Sequence, residues 1–326
     1  MNSASDMQVD FFKKLKQKKG AEKLLAEEVA SALKISKSEA YNKISGKSAL
    51  TLQQLQHLCT VYNVSFELNP NPKVDTCIVQ YTPFHTGQIS ITQYLERMNN
   101  NMRGLVQAGV QKMSCATDDI PFYHMFKYPE LAAFKLFYWQ NRMGNNRKSG
   151  AEETFEARSI NKKDIEAAFQ LHKIYLNIPS VEIWTKPHLL IIMDQIRYVK
   201  ESGLLKDKGL AEMICNQLEA VMDDVELFAI QRSKSATENI SFDWYHCDVV
   251  GNVAYLAETG TKNFCFLRFN TFNHFQTDNE ALTREVRLWL DSLLNDATGF
   301  SGQGSKHRNV YLQKTRQACK ELKELF

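Results

Sequence analysis

The segment Pro70-Asn71-Pro72-Lys73 constrains this chain more than any other. Two prolines in three residues remove two backbone donors and fix φ, so neither a helix nor a sheet interior runs through them. The chain is expected to divide there into a head, 1–69, and a body, 74–326, joined by a short stiff linker at 70–73. A length of 326 residues points the same way, since it exceeds what one small core accommodates.

Charge divides at the same place. Residues 1–73 carry eleven lysines, no arginine and seven acids, whereas the other 253 residues hold 29 bases and 30 acids. The whole positive excess therefore lies on the head, and a polyanion is the partner such asymmetry suits. An apolar fraction of 44% with 24% charged residues excludes a mainly disordered chain. With only 14 Gly and 7 Pro, helix should dominate. No apolar run is longer than five residues, as in Leu189–Met193, so no bilayer-spanning helix is expected. The stretch Met1–Asp10 is polar, unlike a signal peptide. Seven scattered cysteines without a C-x-x-C pair suit reduced thiols in the cytoplasm.

The head reads as four short helices. Phe11–Lys18 places Phe11, Phe12 and Leu15 on one face, and Leu24–Leu33 repeats apolar residues at helical spacing. Ser36 followed three residues later by Glu39 is a capping box, with each side chain reaching the other's backbone N–H. It opens a helix over Lys37–Ile44 that must stop at Gly46. A second box, Thr51 with Gln54, opens a helix through Tyr62, with Asn63 as a left-handed stop.

This succession resembles the Cro/C1-type (λ-repressor-like) helix-turn-helix over residues 9–68. The matching residues are Val29-Ala30-x-x-Leu33-x-Ile35-Ser36, Ala40, Ile44-x-Gly46-Lys47, Leu52-x-x-Leu55-x-x-Leu58 and Tyr62-Asn63-Val64-Ser65. Two positions depart from the family pattern: Lys34 stands where glycine is usual at the turn, and Ala26 where a phosphate-contacting glutamine is frequent. The resemblance implies a cytoplasmic bacterial regulator that binds double-stranded DNA, as a homodimer on a palindromic site. It implies that Lys37, Ser38 and Asn42 face base edges in the major groove. Tyr41, Lys43, Lys47 and Ser48 would then lie along phosphates, positioning the helix without reading sequence. The alternative is a helical module that contacts protein, or a ligand-sensing adaptor that leaves DNA alone.

The body is expected to be mostly helical with a small antiparallel sheet, giving an α+β chain overall. Val74–Thr82 reads as a strand. Ser90 and Gln93 cap a helix to about Met113, whose stripe Ile91, Leu95, Met98, Met102, Leu105 and Gly109 suits either a dimer seam or a core face. Phe122, Tyr123, His124, Phe126 and Tyr128 precede a helix starting at Pro129 and are candidates for an apolar ligand pocket, although aromatic clusters usually form core. Arg142–Ser159 reads as an exposed loop, followed by helices near 162–176, 187–202 and 207–231. The period then changes to two, with strands at Ile240–Val249, Val253–Glu258 and Phe264–Phe269 joined by turns at Gly251-Asn252 and 258–262. Thr277 with Glu280 opens a helix to Asn295, and a basic helix follows from Ser305.

Catalytic and metal signatures are weak. No H-E-x-x-H, G-x-S-x-G or G-x-G-x-x-G occurs. Ala108-Gly109, the bond type of self-cleaving repressors, sits in a helical pattern. Gly299–Lys306 has the glycine spacing of a phosphate loop but inverts its last two residues and follows a helix, so a plain turn is expected. Adjacent strand residues His246 and Cys247 face opposite ways and cannot easily share a metal with Cys265 and His274. No enzyme, metal or cofactor is read from the chain.

Overall fold

Local capping chemistry fixes most helix starts. In the computed structural model, which describes residues 4–19, 25–62, 64, 66, 76–83, 89–142, 154–156, 160–185, 191–248, 251–270, 272–303 and 305–326, both serine boxes close. Ser36 Oγ accepts from Glu39 N at 3.2 Å while Glu39 Oε2 accepts from Ser36 N at 3.0 Å. Ser90 and Gln93 make the same reciprocal pair. The chain forms two compact units, Met1–Ile78 and Val79–Phe326. The linker at 70–73 and the stop at Asn63 lie outside the described residues.

The first unit holds α1 (Ala4–Lys19), α2 (Leu25–Leu33), α3 (Lys37–Ile44) and α4 (Leu52–Tyr62). Phe11, Phe12, Leu15, Val29, Ala40 and Leu58 are its buried core. Between α2 and α3 the backbone turns through Lys34 at φ 53, the left-handed conformation for which glycine is usual, and Ile35 N donates to Ala30 O at 3.0 Å. Helix α1 begins well before Phe11, and this early turn has a task. Gln8, 8% exposed, donates to the carbonyls of Lys43 (2.6 Å) and Ser48 (2.9 Å) and accepts from Leu50 N (2.8 Å). One amide therefore ties down the loop after α3.

The second unit is α+β, and its sheet is larger than the sequence suggests. Seven strands, β1 (Val110–Thr117), β2 (Ser180–Trp184), β3 (Phe242–His246), β4 (Ala254–Thr259), β5 (Asn263–Arg268), β6 (His274–Thr277) and β7 (Thr298–Gly299), lie in the order β6-β5-β4-β1-β2-β3-β7. β1, β2 and β3 are parallel and the other pairings antiparallel, so the sheet is mixed. Helices α5 (Ile91–Gln107), α6 (Phe122–Met125), α7 (Pro129–Arg142), α8 (Lys162–Leu176), α9 (Ile191–Glu201), α10 (Lys208–Gln231), α11 (Glu280–Asp296) and α12 (Lys306–Lys323) are its helices among the described residues. Of these, α11 packs with Ala116, Ile183, Leu256 and Cys265, which form a second cluster distinct from the main core. No helix among the described residues is long and apolar enough to cross a membrane.

Several expectations need correction. Helix α5 ends at Gln107, because Gly109 takes φ 71 and the chain enters β1 instead of continuing to Met113. The stripe Ile91, Leu95, Met102 and Leu105 is buried in its own unit, so it serves as core and no dimer seam remains there. Gly251-Asn252 makes no hairpin, since β3 and β4 are separated by β1 and β2. Within Val74–Thr82 the described residues form no strand, only a bridge from Gln80 to Gln276 on β6. Phe155, inside the stretch read as an exposed loop, is 1% exposed and packs on Phe134 and Phe137. The cap of α11 is Asn279, whose Oδ1 accepts from Leu282 N at 3.0 Å; Thr277 Oγ1 accepts from Asn279 N. The turn before α12 wraps Arg308, which donates to the carbonyls of Phe300 and Gly302. That loop offers carbonyls inward rather than an amide cradle.

Two backbone positions give a test of the first unit. Gly46 has φ 75, and an added Cβ would sit 2.6 Å from Ser5 Oγ and 3.0 Å from Val9 Cγ2. Gly46→Ala should destabilise this unit by about 1–3 kcal/mol. Lys34→Gly relieves left-handed strain and should stabilise it by up to about 1 kcal/mol. Denaturant unfolding of both variants checks the opposed signs.

Candidate nucleic-acid interface

The outer face of α3 follows from what its inner face must bury. Ala40 is fully buried and Ile44 packs beside it, so residues at 38, 41 and 42 turn outward. Ser38, Tyr41, Asn42 and Lys47 are exposed, and Lys43 and Ser48 are half-buried. The capping pair stays on its cap: hydrogen bonds from the Ser36 backbone and hydroxyl hold the Glu39 carboxyl below the usual range. Ser38 and Asn42 lie four residues apart on one helical face, at the spacing of side chains that act together.

Not every candidate lysine is free. Lys37 Nζ meets Glu27 Oε1 of α2 at 2.5 Å, and this hydrogen bond and its charge attraction lower the Glu27 carboxyl and raise the Lys37 ammonium. Lys43 Nζ donates to Ala49 O at 2.8 Å. By contrast, the Asn42 amide, the Ser38 hydroxyl and the Lys47 ammonium make no hydrogen bond to a described residue. The Glu27 pairing had no signal in the sequence, because ten residues and a turn separate it from Lys37.

In the second unit, the five aromatic candidates divide. Phe122 and Tyr123 line a cavity of about 340 Å³, together with Tyr94, Met98, Met102, Tyr255 and His274. His124 turns away to Glu182 Oε1 at 2.9 Å. Phe126 is core, edge-on to Trp139, and Tyr128 Oη donates to Asp224 at 2.9 Å. The grouping of all five in one pocket is therefore not what the fold builds.

His124 belongs to a buried polar hub. Glu182 on β2 has no exposed side-chain surface, and its carboxylate accepts from His124, from Tyr175 Oη and, at 2.8 Å, from Trp184 Nε1. Burial pushes this carboxyl up, but His124, Tyr175 and Lys234 together outweigh burial and hold it below the usual range. Lys234 Nζ donates to Tyr175 O at 2.8 Å and lies 3.7 Å from the Tyr175 ring centroid. Burial pulls its ammonium down to about 7, against the pull of Glu182. With side-chain exposures of 2% and 0% for His124 and Glu182, the group is shut off from water and acts as a tie between elements. At the carboxyl ends of the parallel strands, Asp118 takes Arg268 in a bidentate pair and Asp119 takes Lys135 at 2.8 Å.

Comparison with protein-family models, with curated proteins and with solved structures gave no match to this chain.

The hub carries a pH signature. An unfolded lysine binds its proton up to about pH 10.5, whereas folded Lys234 releases it near 7. Between these values the unfolded state holds more protons, so this residue makes stability rise with pH, by about 1.4 kcal/mol per pH unit at most. The difference between wild type and Lys234→Met, followed by denaturant unfolding from pH 7 to 10, should show that slope. A pH-independent difference would contradict it.

Proposed function

We propose that the first unit is a Cro/C1-type helix-turn-helix that binds double-stranded DNA sequence-specifically, with α3 in the major groove, and that the protein is a dimeric transcriptional regulator. The observation that carries this reading is the outward face of α3, where Ser38 and Asn42 stand unengaged, with exposed Lys47 in the loop that follows, on a unit rich in lysine and without arginine. The left-handed turn at Lys34 and the small Ala40 at the base of α3 support it, because they set the two helices at close quarters. Asn42 is suited to bidentate pairing with adenine, and Lys47 to phosphate. Lys37 reaches a base edge only by leaving Glu27, so its part is conditional on that pair opening. Lys43 contributes charge from a position held by Ala49 O. The dimer rests on the symmetry that such heads need for palindromic sites, since the α5 stripe is already occupied.

One observation favours a second reading, in which the head docks on protein: Leu52 is 84% exposed and Tyr41 54%. Duplex binding against salt separates the two. On the DNA reading, affinity falls steeply with salt, and Lys47→Ala weakens all sequences alike and reduces the slope by about one. Asn42→Ala relaxes preference at one base pair by about 1–3 kcal/mol. Glu27→Gln, which frees Lys37, should steepen the salt dependence. Absence of duplex binding at low salt by folded protein would favour the protein-docking reading.

A further inference from the structure

The cavity of about 340 Å³ in the second unit is lined by rings and thioethers and by the amides of Gln80, Asn100, Asn101, Asn273 and Gln276. Tyr94, Phe122, Tyr123, Tyr255, Met98 and Met102 give it an apolar wall, and its size suits a molecule of one or two fused rings. Two of those rings carry hydroxyls that meet no oxygen or nitrogen of a described residue. Tyr255 is 6% exposed, and its Oη has no hydrogen-bond partner among the described residues. Tyr123 is 7% exposed, and its Oη reaches only Met102 Sδ at 3.9 Å. A hydroxyl that meets no oxygen or nitrogen of the protein is left to donate to an acceptor that enters the cavity.

The two rings are neighbours, edge to face with centroids 6.2 Å apart. Burial pushes both phenols well above their ordinary range, so both remain protonated donors near neutral pH. His274 is the next ring along, 5.7 Å from Tyr255. Burial holds it neutral, with a pKa of about 4, and its Nε2 also lacks a hydrogen-bond partner. Among the described residues that line the cavity, Arg97 is the one formal charge and there is no carboxylate.

We propose that this cavity binds an uncharged, planar aromatic molecule whose carbonyl-type oxygen accepts from the Tyr123 and Tyr255 hydroxyls. A cation would find aromatic faces but would meet Arg97 with no carboxylate to balance it. A hydrocarbon would fill the space and leave both hydroxyls unmet. The proposal does not depend on DNA binding by the first unit, because it is read from ligand binding alone.

The test titrates the full-length protein calorimetrically with three two-ring probes. They are chromone, naphthalene as a ring frame without an acceptor, and the N-methylquinolinium cation. Chromone should bind saturably at one site, about tenfold more tightly than either other probe. Tyr255→Phe and Tyr123→Phe should each weaken chromone about tenfold and leave naphthalene unchanged. Met98→Trp, which fills the cavity from a half-buried wall position, should abolish binding of both. The Tyr255→Phe protein should unfold no earlier than wild type, because its missing hydroxyl had no partner to lose. Failure of chromone to saturate, equal binding of chromone and naphthalene, a preference for the cation, or a lowered unfolding midpoint in Tyr255→Phe would each overturn the proposal.

Discussion

The body is organised around one carboxylate that has to be compensated wherever it lies. Burying an ionised glutamate in a sheet core costs several kcal/mol unless its oxygens are fully engaged. Glu182 meets that requirement by drawing His124 from α6, Tyr175 from α8 and Trp184 from its own strand, with Lys234 attached through Tyr175. The crossover from β1 to β2 is thereby fastened at two points, and the segment after α10 at a third. Pinning His124 also places its neighbour: Tyr123 stacks on Tyr175 at 4.6 Å and presents its hydroxyl end to Met102. The hub and the cavity are thus consecutive consequences of the same constraint, with residue 124 turned to the carboxylate and residue 123 to the hollow.

The head is arranged by a different rule, since its core is small and its charges lie outside it. Gln8 spends three hydrogen bonds on the last turn of α3 and the loop after it, which fixes where Lys47 and Ser48 emerge. Glu27 and Ala49 O take up Lys37 and Lys43, leaving a polar face on which Ser38 and Asn42 are uncommitted. An electrostatic excess read as a sum therefore overstates how many ammonium groups are free. What remains is a narrow donor and acceptor face flanked by charge.

Legibility followed the range of the interaction. Capping boxes at Ser36 and Ser90 span three residues, so the sequence displays them directly, and α3 and α5 begin where they dictate. The departure at Lys34 was equally local and takes the left-handed turn its position demands. β1 and β2 are not legible in the sequence because strands buried on both faces lose the alternation that marks a half-exposed strand; five successive residues of β1 are buried. Glu182 reads as an ordinary acid in a short apolar run, and apart from Trp184 the groups that compensate it lie 58 and 7 residues upstream and 52 downstream. The aromatic run at 122–128 was visible as a cluster, but only the fold separates residues that line the cavity from those that bind a carboxylate or fill core. The sequence places the cap of α11 at Thr277, but the ladder to β5 holds Thr277 in β6 and Asn279 caps the helix instead.

The central claim, that α3 reads duplex DNA, is tested most directly by selecting bound duplexes from a random-sequence pool with the full-length protein. The account predicts enrichment of a two-fold symmetric motif whose half-sites lie one helical turn apart, about 34–36 Å. Recovery of a pool with no enriched motif, from protein verified as folded, would contradict it.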